Sequence, residues 1–354
     1  MRVCVVVPAR NEEAQLPSLI AALAIQHDGR GKLLEADSFE VLLLLNNCSD
    51  RTASVARELQ RKYPCLPLHV IEISFAAPEA HVGKARQLLF DTAFHRFQFL
   101  GRGAGLILTT DADSRPAPDW IARNCAEIAR GVDAVGGRIL LEPEELAALP
   151  LGVRKFFLLD IGYRRALEEM RSLYAPQPHD PFPRHHQNFG GSFAVTADAY
   201  ARAGGMPLRP FREDVGLCQA IVDSGGRVRH SEAVRVYTSA RMVGRAQRGL
   251  ADAIGWWNGQ VRKALPVLVE SAAAAEARLL ALGRWCVDHP EQAPPIALTT
   301  TPDKPPSKQA ADIQATLSPL RQRIEFLRPL PLAARLFQPQ VPRPDRRPKP
   351  RLAA

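Results

Sequence analysis

The chain is short of several things, and each shortage closes a class of function. No C-x-x-C pair occurs among its six cysteines, Cys4, Cys48, Cys65, Cys125, Cys218 and Cys286. That argues against a zinc site or a disulfide framework and fits a reducing, cytoplasmic setting. No apolar run approaches the about 18 residues of a membrane helix. Val3 to Val7, closed by Pro8, is too short for the apolar stretch of a secretory signal. Aromatic residues make up only 6%, and no Lys/Arg cluster interleaves with them. The formal charge of +9 therefore does not by itself imply a nucleic-acid partner, and none is expected. G-x-G-x-x-G is missing after the first strand and G-x-x-x-x-G-K-[ST] is missing throughout, which removes dinucleotide and P-loop chemistry. No internal repeat is visible. What remains, at 354 residues and 46% hydrophobic, is an ordinary globular chain with room for one large core and additions.

What is present is organised around Leu106-Ile107-Leu108-Thr109-Thr110-Asp111-Ala112-Asp113-Ser114. The apolar run is short and has no polar face, so it reads as a strand buried on both sides. Side chains two apart on a strand point the same way, so Asp111 and Asp113 leave its end as a pair. Ligands of open α/β sheets bind outside the carboxyl ends of the strands. Two acids there suit a hard divalent cation shared with substrate phosphates. The competing reading is an acidic turn capping the helix near Pro118.

Strands at 2–7, 39–45 and 68–73, each followed by a loop and a helix, come first, and a fifth strand at 133–141 comes after. Repeated strand, loop and helix predict a parallel sheet with right-handed crossovers. Pro8 to Glu12, Asn46 to Asp50 and Asp111 to Asp113 then line one edge, as a ligand crevice. Asn and Asp side chains there can read a base and ribose. Ser49 or Asp50 is placed to cap the second helix. Gly83-Lys84 brings a cation to the same edge, for phosphate or base, unless Lys84 is merely an exposed lysine at a helix start. Residues 142–186 form an insertion with a helical centre near 151–173 and a Pro/His-rich loop at 176–186. A strand at 189–195 follows, then Glu213-Asp214 opening a helix, short strands over 227–237, helices over about 246–287, a Pro/Thr/Ala linker at 289–307 and a helix near 311–327. From Arg328 on, Pro and Arg dominate, so the tail is expected to be disordered, dispensable for folding and available to an anionic lipid surface.

At this point the chain resembles a family 2 glycosyltransferase of GT-A fold. The resemblance rests on Val5-Val6-Val7-Pro8-Ala9-Arg10-Asn11-Glu12-Glu13, Asn46-Asn47-Cys48-Ser49-Asp50-Arg51-Thr52, Gly83-Lys84-Ala85-Arg86, Thr110-Asp111-Ala112-Asp113-Ser114, Gly190-Gly191-Ser192 and Arg212-Glu213-Asp214, in that order over about residues 2 to 245. It implies a Rossmann-like, mostly parallel sheet flanked by helices, over residues 1–245. Residues 1–141 would be a nucleotide-binding half and 142–245 an acceptor-binding half. A helical extension at 246–288 and the linker, helix and tail at 289–354 would follow. It implies that Pro8, Arg10, Asn11, Glu12, Asn46, Asn47, Lys84 and Asp111 hold the nucleotide of a nucleoside-diphosphate sugar. Asp113 would hold Mn2+ or Mg2+, and Asp214 would be the base of an inverting transfer to an acceptor hydroxyl. Gly190, Gly191, Ser192 and Glu213 would lie on the acceptor side. Local spacing leaves Glu213 and Asp214 equivalent; the choice of Asp214 follows the resemblance alone.

The chain departs from the family pattern in places. Asn46 and Asn47 stand where Asp is commoner, and the Gln-x-x-Arg-Trp of processive synthases is missing. No metal-binding histidine lies near Tyr237-Thr238, and His230 reads as structural. Arg241 and Arg245 are placed to close over the diphosphate or to form a solvated basic loop. His185, His186 and Gln187 line the acceptor pocket or lie on the surface. The rival functions are a nucleotidyltransferase, and a sugar-nucleotide-binding protein that uses the same cleft without glycosyl transfer.

Overall fold

A computed structural model describes residues 2–242, 249–302 and 304–337. Among these, eight strands form one sheet in the order β3-β2-β1-β4-β7-β6-β8-β5. They are β1 (Val3–Ala9), β2 (Phe39–Asn46), β3 (Leu68–Ile73), β4 (Leu106–Thr110), β5 (Ser114–Pro116), β6 (Ala134–Leu141), β7 (Ser192–Thr196) and β8 (Val228–Thr238). β3, β2, β1 and β4 are parallel neighbours. β7 runs antiparallel between β4 and β6, β8 is parallel to β6, and β5 is antiparallel to β8. The sheet is mostly parallel and flanked by helices, as expected.

The helices are α1 (Leu16–Ala24), α2 (Thr52–Lys62), α3 (Val82–Phe99), α4 (Trp120–Ile128), α5 (Pro143–Ala148), α6 (Leu151–Tyr174), α7 (Ala197–Arg202), α8 (Glu213–Asp223), α9 (Leu250–Arg262), α10 (Ala272–Asp288), α11 (Ile296–Thr299), α12 (Ile313–Leu327) and α13 (Leu332–Leu336), with a ribbon of β9 (Leu268–Glu270) and β10 (Ala310–Asp312). Among the described residues no helix is long and apolar enough to cross a membrane.

Strand alternation divides the apolar side chains between two cores. Val3, Val5 and Val7 of β1 join Val41, Leu43, Leu45, Leu106 and Leu108 against α1, α2 and α4. Cys4, Val6, Leu42, Leu44 and Ile107 face α3, α7 and α8 on the other side. Each such buried side chain stabilises the fold by roughly 1.5–3 kcal/mol. That burial fixes the register, because a one-residue slip would turn every one of them to the wrong face. The parallel pairing brings the carboxyl ends of β1, β2 and β4 to one edge.

A third core lies outside the sheet. α6 packs against α9, α10, α12 and α13, burying Val153, Phe157, Met170, Ile254, Leu282, Ile324 and Leu327. The insertion's helix thus shares its core with the C-terminal helices. This corrects the expectation for residues 328–337. Leu336 is buried, and Leu330 and Leu332 pack beside it. Arg335 donates to the carbonyls of Leu173, Leu327 and Arg328, and Arg284 donates to that of Leu336. The Pro/Arg-rich composition concealed three leucines spaced to reach one groove. The tail beyond Phe337, with its expected membrane contact, lies outside the described residues, as does Arg245.

Candidate active site

The first two loops are tied to each other before any ligand is considered. Asn11, in a left-handed conformation with φ 56°, accepts from the Ser49 amide at 2.8 Å and donates to the Ser49 hydroxyl at 3.2 Å. The Glu12 amide donates to Thr52 Oγ1, whose own amide reaches Asp50 Oδ1 at 3.0 Å. Asp50 rather than Ser49 therefore accepts from the amide of the first residue of α2, whose N-cap position, Arg51, makes no side-chain cap. Asn47, also left-handed at φ 49°, exchanges two 3.0 Å hydrogen bonds with the Phe75 backbone and pins the loop after β3. Its amide is occupied in the fold. Asn46 is buried, and its Oδ1 has no hydrogen-bond partner among the described residues. Pro8 is buried inside β1. Arg10 is exposed and donates to the Ala80 carbonyl, while Lys84 pairs with Glu79 at 3.4 Å.

The centre of the site is a residue with no role among the sequence-based expectations. Arg86 lies on the inward face of α3 with its side chain 5% exposed, and its guanidinium joins Asp111 (2.7 Å) to the buried Glu213. Burial works against its charge, but Glu213, Asp111 and Asp214 more than offset that and raise its pKa. The signal was there: Arg86 falls in the apolar row Gly83, Phe90, Ala93, Phe97 of α3. An arginine in such a row needs a buried partner.

Two glycines make room for Arg86 and Asp111. A Cβ on Gly190 would fall 2.3 Å from the Arg86 Cζ, and one on Gly191 would crowd Asp111. Gly83 is required for another reason, since a Cβ there would overlap the Arg209 carbonyl. These contacts draw α3, β4, β7 and the start of α8 together.

Asp111 lies on the cleft floor, its side chain still 42% exposed to the open side. Burial by the surrounding protein, with Asp113, Asp214 and Glu213 nearby, outweighs Arg86 and pushes its carboxyl up to about 6. Asp113 is deeper, at 12% exposed, and pairs with Arg241 Nη2 at 2.6 Å. Arg241 also pairs with the buried Glu12 at 3.2 Å. The Thr238 and Ser114 hydroxyls lie 3.5 Å from Asp113 Oδ1. At the other end of the cleft, Asp214 Oδ2 accepts from the Gly190 amide at 2.6 Å and Oδ1 from the Val215 amide at 2.7 Å. Arg212, just before it, has φ 58°. Asn11, Asn47 and Arg212, three of the four described non-glycine residues at positive φ, thus border this site, where backbone strain typically concentrates.

Several expectations are corrected. Glu213 is not on the acceptor surface, because it is buried against Arg86. Ser192 is buried too, its hydroxyl accepting from the Trp120 indole at 3.1 Å. His185 lies inside rather than on a pocket wall: Nε2 meets the Ser231 carbonyl and Nδ1 accepts from the Gln187 amide, both at 3.1 Å. Gln187 itself clamps both backbone groups of Ile139. His186 is half-buried, edge-on to Phe189. His230 is structural, as expected, bonded to Asp180 at 2.8 Å. A cavity of about 500 Å³ opens beside Asp113, with Gln15, Arg115, Glu142 and Glu144 in its wall; it reaches none of Asp111, Arg86 or Asp214.

Residues 4–186, just over half of the chain, match the family model described as glycosyl transferase family 2. The chain is similar to the undecaprenyl-phosphate 4-deoxy-4-formamido-L-arabinose transferase of Shewanella sediminis (strain HAW-EB3), at 27% identity over 139 residues, 38% of this chain and 35% of the relative. It therefore spans about a third of the length of that curated relative. Among solved structures it is similar to the mannosyltransferase PcManGT from Pyrobaculum calidifontis in complex with GDP-Man and Mn2+, at 19% identity and a TM-score of 0.47, covering 95% of this chain and 85% of that one. It is also similar to S. aureus TarS 1–349 in complex with UDP-GlcNAc, at 16% identity and a TM-score of 0.47, covering 70% and 61%.

Proposed function

Since the chain belongs to glycosyl transferase family 2, we propose that this glycosyltransferase moves a sugar from a nucleoside-diphosphate donor to an acceptor hydroxyl by a single, inverting displacement. Asn11, Ser49 and Arg10 border the nucleotide, and Lys84 stands at the same edge. Asp113 and Asp111 are the residues that would hold a divalent cation, Mn2+ or Mg2+. Their chemistry fits one: both are hard oxygen donors at the end of one strand. Among the described residues no cluster of three His, Cys, Asp or Glu forms a closed cage, which leaves positions for phosphate oxygens and water. When bound, the cation offsets charge on the departing diphosphate.

Asp214 is the base. An acceptor hydroxyl has a pKa far above 7 and needs a positioned group to take its proton as its oxygen bonds to the anomeric carbon and the bond to diphosphate breaks. Two amide hydrogen bonds aim the Asp214 carboxylate. A lipid phosphate, the acceptor that the Shewanella relative's name gives for that protein, is already anionic and needs no such base, so Asp214 favours a hydroxyl here. The observation that carries the reading is Arg86. It draws Asp111, Glu213 and the Asp214 turn, from segments about a hundred residues apart, around one cleft.

One experiment tests both roles: turnover and donor binding over UDP-, GDP- and dTDP-sugars, with and without Mn2+. Asp214→Asn is expected to lower kcat by about 10²–10⁴-fold and leave donor Kd nearly unchanged. Asp113→Ala is expected to lose Mn2+-dependent binding of the nucleoside diphosphate. Near-normal turnover of Asp214→Asn would place the base elsewhere, and intact Mn2+-dependent affinity of Asp113→Ala would remove the metal role.

A further inference from the structure

We infer that Arg241 is a stand-in cation: in the free protein it covers the Asp113 oxygen that a divalent ion must take, and so makes metal binding depend on the nucleotide. The inference rests on the proposed metal role of Asp113.

The geometry is specific to one oxygen. Arg241 Nη2 lies 2.6 Å from Asp113 Oδ2, while the Thr238 and Ser114 hydroxyls approach the other oxygen, Oδ1. Among the described residues, the oxygen with no hydroxyl beside it is thus the one the guanidinium occupies. The same guanidinium reaches Glu12, Nη1 at 3.2 and 3.4 Å from its two oxygens and Nη2 at 3.3 Å from Oε1. Glu12 and Asp113 are both largely withdrawn from water, and Arg241 comes from a segment 229 residues from Glu12 in the chain. A planar guanidinium is weakly hydrated and can span two carboxylates, so it neutralises the pair as a bound ion would.

Of the three groups, Arg241 is the most exposed, at 28%. It is therefore the group that can leave. A divalent ion arriving alone must displace it and leave a guanidinium facing a dication. An ion arriving with a nucleoside diphosphate brings a new anion for Nη2, while Nη1 keeps Glu12. No bond is made or broken in the chain; one ion pair is exchanged for another. The expected consequence is weak binding of metal alone, strong binding of metal with nucleotide, and a coupling that Arg241 itself supplies.

The test titrates Mn2+ into the full chain and reads free Mn2+ by electron paramagnetic resonance, with no nucleotide, with UDP and with GDP. Arg241→Ala is expected to bind Mn2+ alone about tenfold tighter than wild type, the equivalent of losing one partly buried competing ion pair. With nucleotide its Mn2+ affinity is expected to be equal to or weaker than wild type, so the coupling shrinks. Arg241→Lys keeps a charge but cannot span both acids, and falls between; it decides the matter if the Ala variant does not fold. Mn2+ binding without nucleotide that is no tighter in either variant overturns the inference. Asp113→Ala separates this from the proposed function. If it loses Mn2+ binding while the Arg241 variants match wild type, only the stand-in role falls. If it keeps full Mn2+ binding, the metal role of Asp113 and the inference fall together.

Discussion

Two arginines serve the two aspartates after β4, and they are built on opposite terms. Arg86 is almost wholly enclosed, joined to Asp111 on one side and to buried Glu213 on the other. Arg241 is over a quarter exposed and joins Asp113 to Glu12 from a loop. Removing Arg86 strands Glu213 as an uncompensated buried acid. Removing Arg241 takes one partner from the buried Glu12 and uncovers Asp113, but on the side of an open cleft, where water or an ion can replace it. Burial decides which compensating cation belongs to the fold and which is free to take part in ligand exchange.

The largest effect should come from breaking the enclosed side. Arg86→Met is expected to destabilise the chain by about 3–5 kcal/mol, the usual cost of leaving one member of a buried ion pair alone. Arg86→Lys should recover little of it, since an ammonium cannot fork between two carboxylates. Arg241→Ala should cost clearly less than Arg86→Met, because water in the open cleft reaches the acids that it leaves. Urea denaturation of the three variants checks this ranking. If Arg241→Ala is the one that unfolds, the contrast between the two arginines is reversed.

A second prediction extends the contrast to the C-terminus, where Arg335 also turns inward. Ending the chain after Leu327 removes Leu336 from its core and three Arg335 hydrogen bonds. The expected loss is about 2–4 kcal/mol, from one buried leucine and the released carbonyls. Leu336→Ala should reproduce much of it. An unchanged melting temperature in the truncated chain would show that residues 328–337 contribute nothing to the helical core.

These two arginine positions also mark where the sequence was legible. The strands and their loops could be read because alternation, Pro8 and the abrupt Thr110-Asp111 boundary leave direct marks in the residue order. Asp111 and Asp113 stand out by their position at a strand end, whereas position alone does not separate Asp214 from Glu213 and only the resemblance does. Arg86 does not stand out, because arginine is ordinarily a surface residue and only the apolar row of α3 betrays it. The resemblance assigns Ser192, Glu213 and Asn47 to ligands, and polarity alone does not tell a side chain facing a cleft from one satisfied inside the fold. Trp120, Arg86 and the Phe75 backbone are their partners, and none is near them in sequence. Leu330, Leu332 and Leu336 were hidden by their Pro and Arg neighbours for the same reason: composition averages over exactly the residues that pack.

The smallest effect sharpens the enclosed side further, by asking whether a neutral buried group helps to hold the loop that carries Gly190. His185 accepts from the Gln187 amide through Nδ1 and meets the Ser231 carbonyl through Nε2, so the ring is neutral with its proton on Nε2. Burial, then the nearby His230 and Arg138 charges, outweigh Ser231 and Asp180 and hold it at about 3, against an ordinary 6.5. The sign follows from linkage: the unfolded chain takes up the proton first, so the stability this group contributes is present above pH 6.5 and is lost as pH falls towards about 3. Protonation at Nδ1 also removes the acceptor that Gln187 uses, and Gln187 clamps Ile139 just before the Gly190–Asp214 contact. Between about pH 7.5 and 5.5, wild type should therefore lose about 1.4 kcal/mol more than His185→Gln, the work of one such protonation. Denaturation at both pH values measures the difference. Equal losses in the two proteins would mean that His185 is protonated in the fold as easily as in the open chain, and that the loop is held without it.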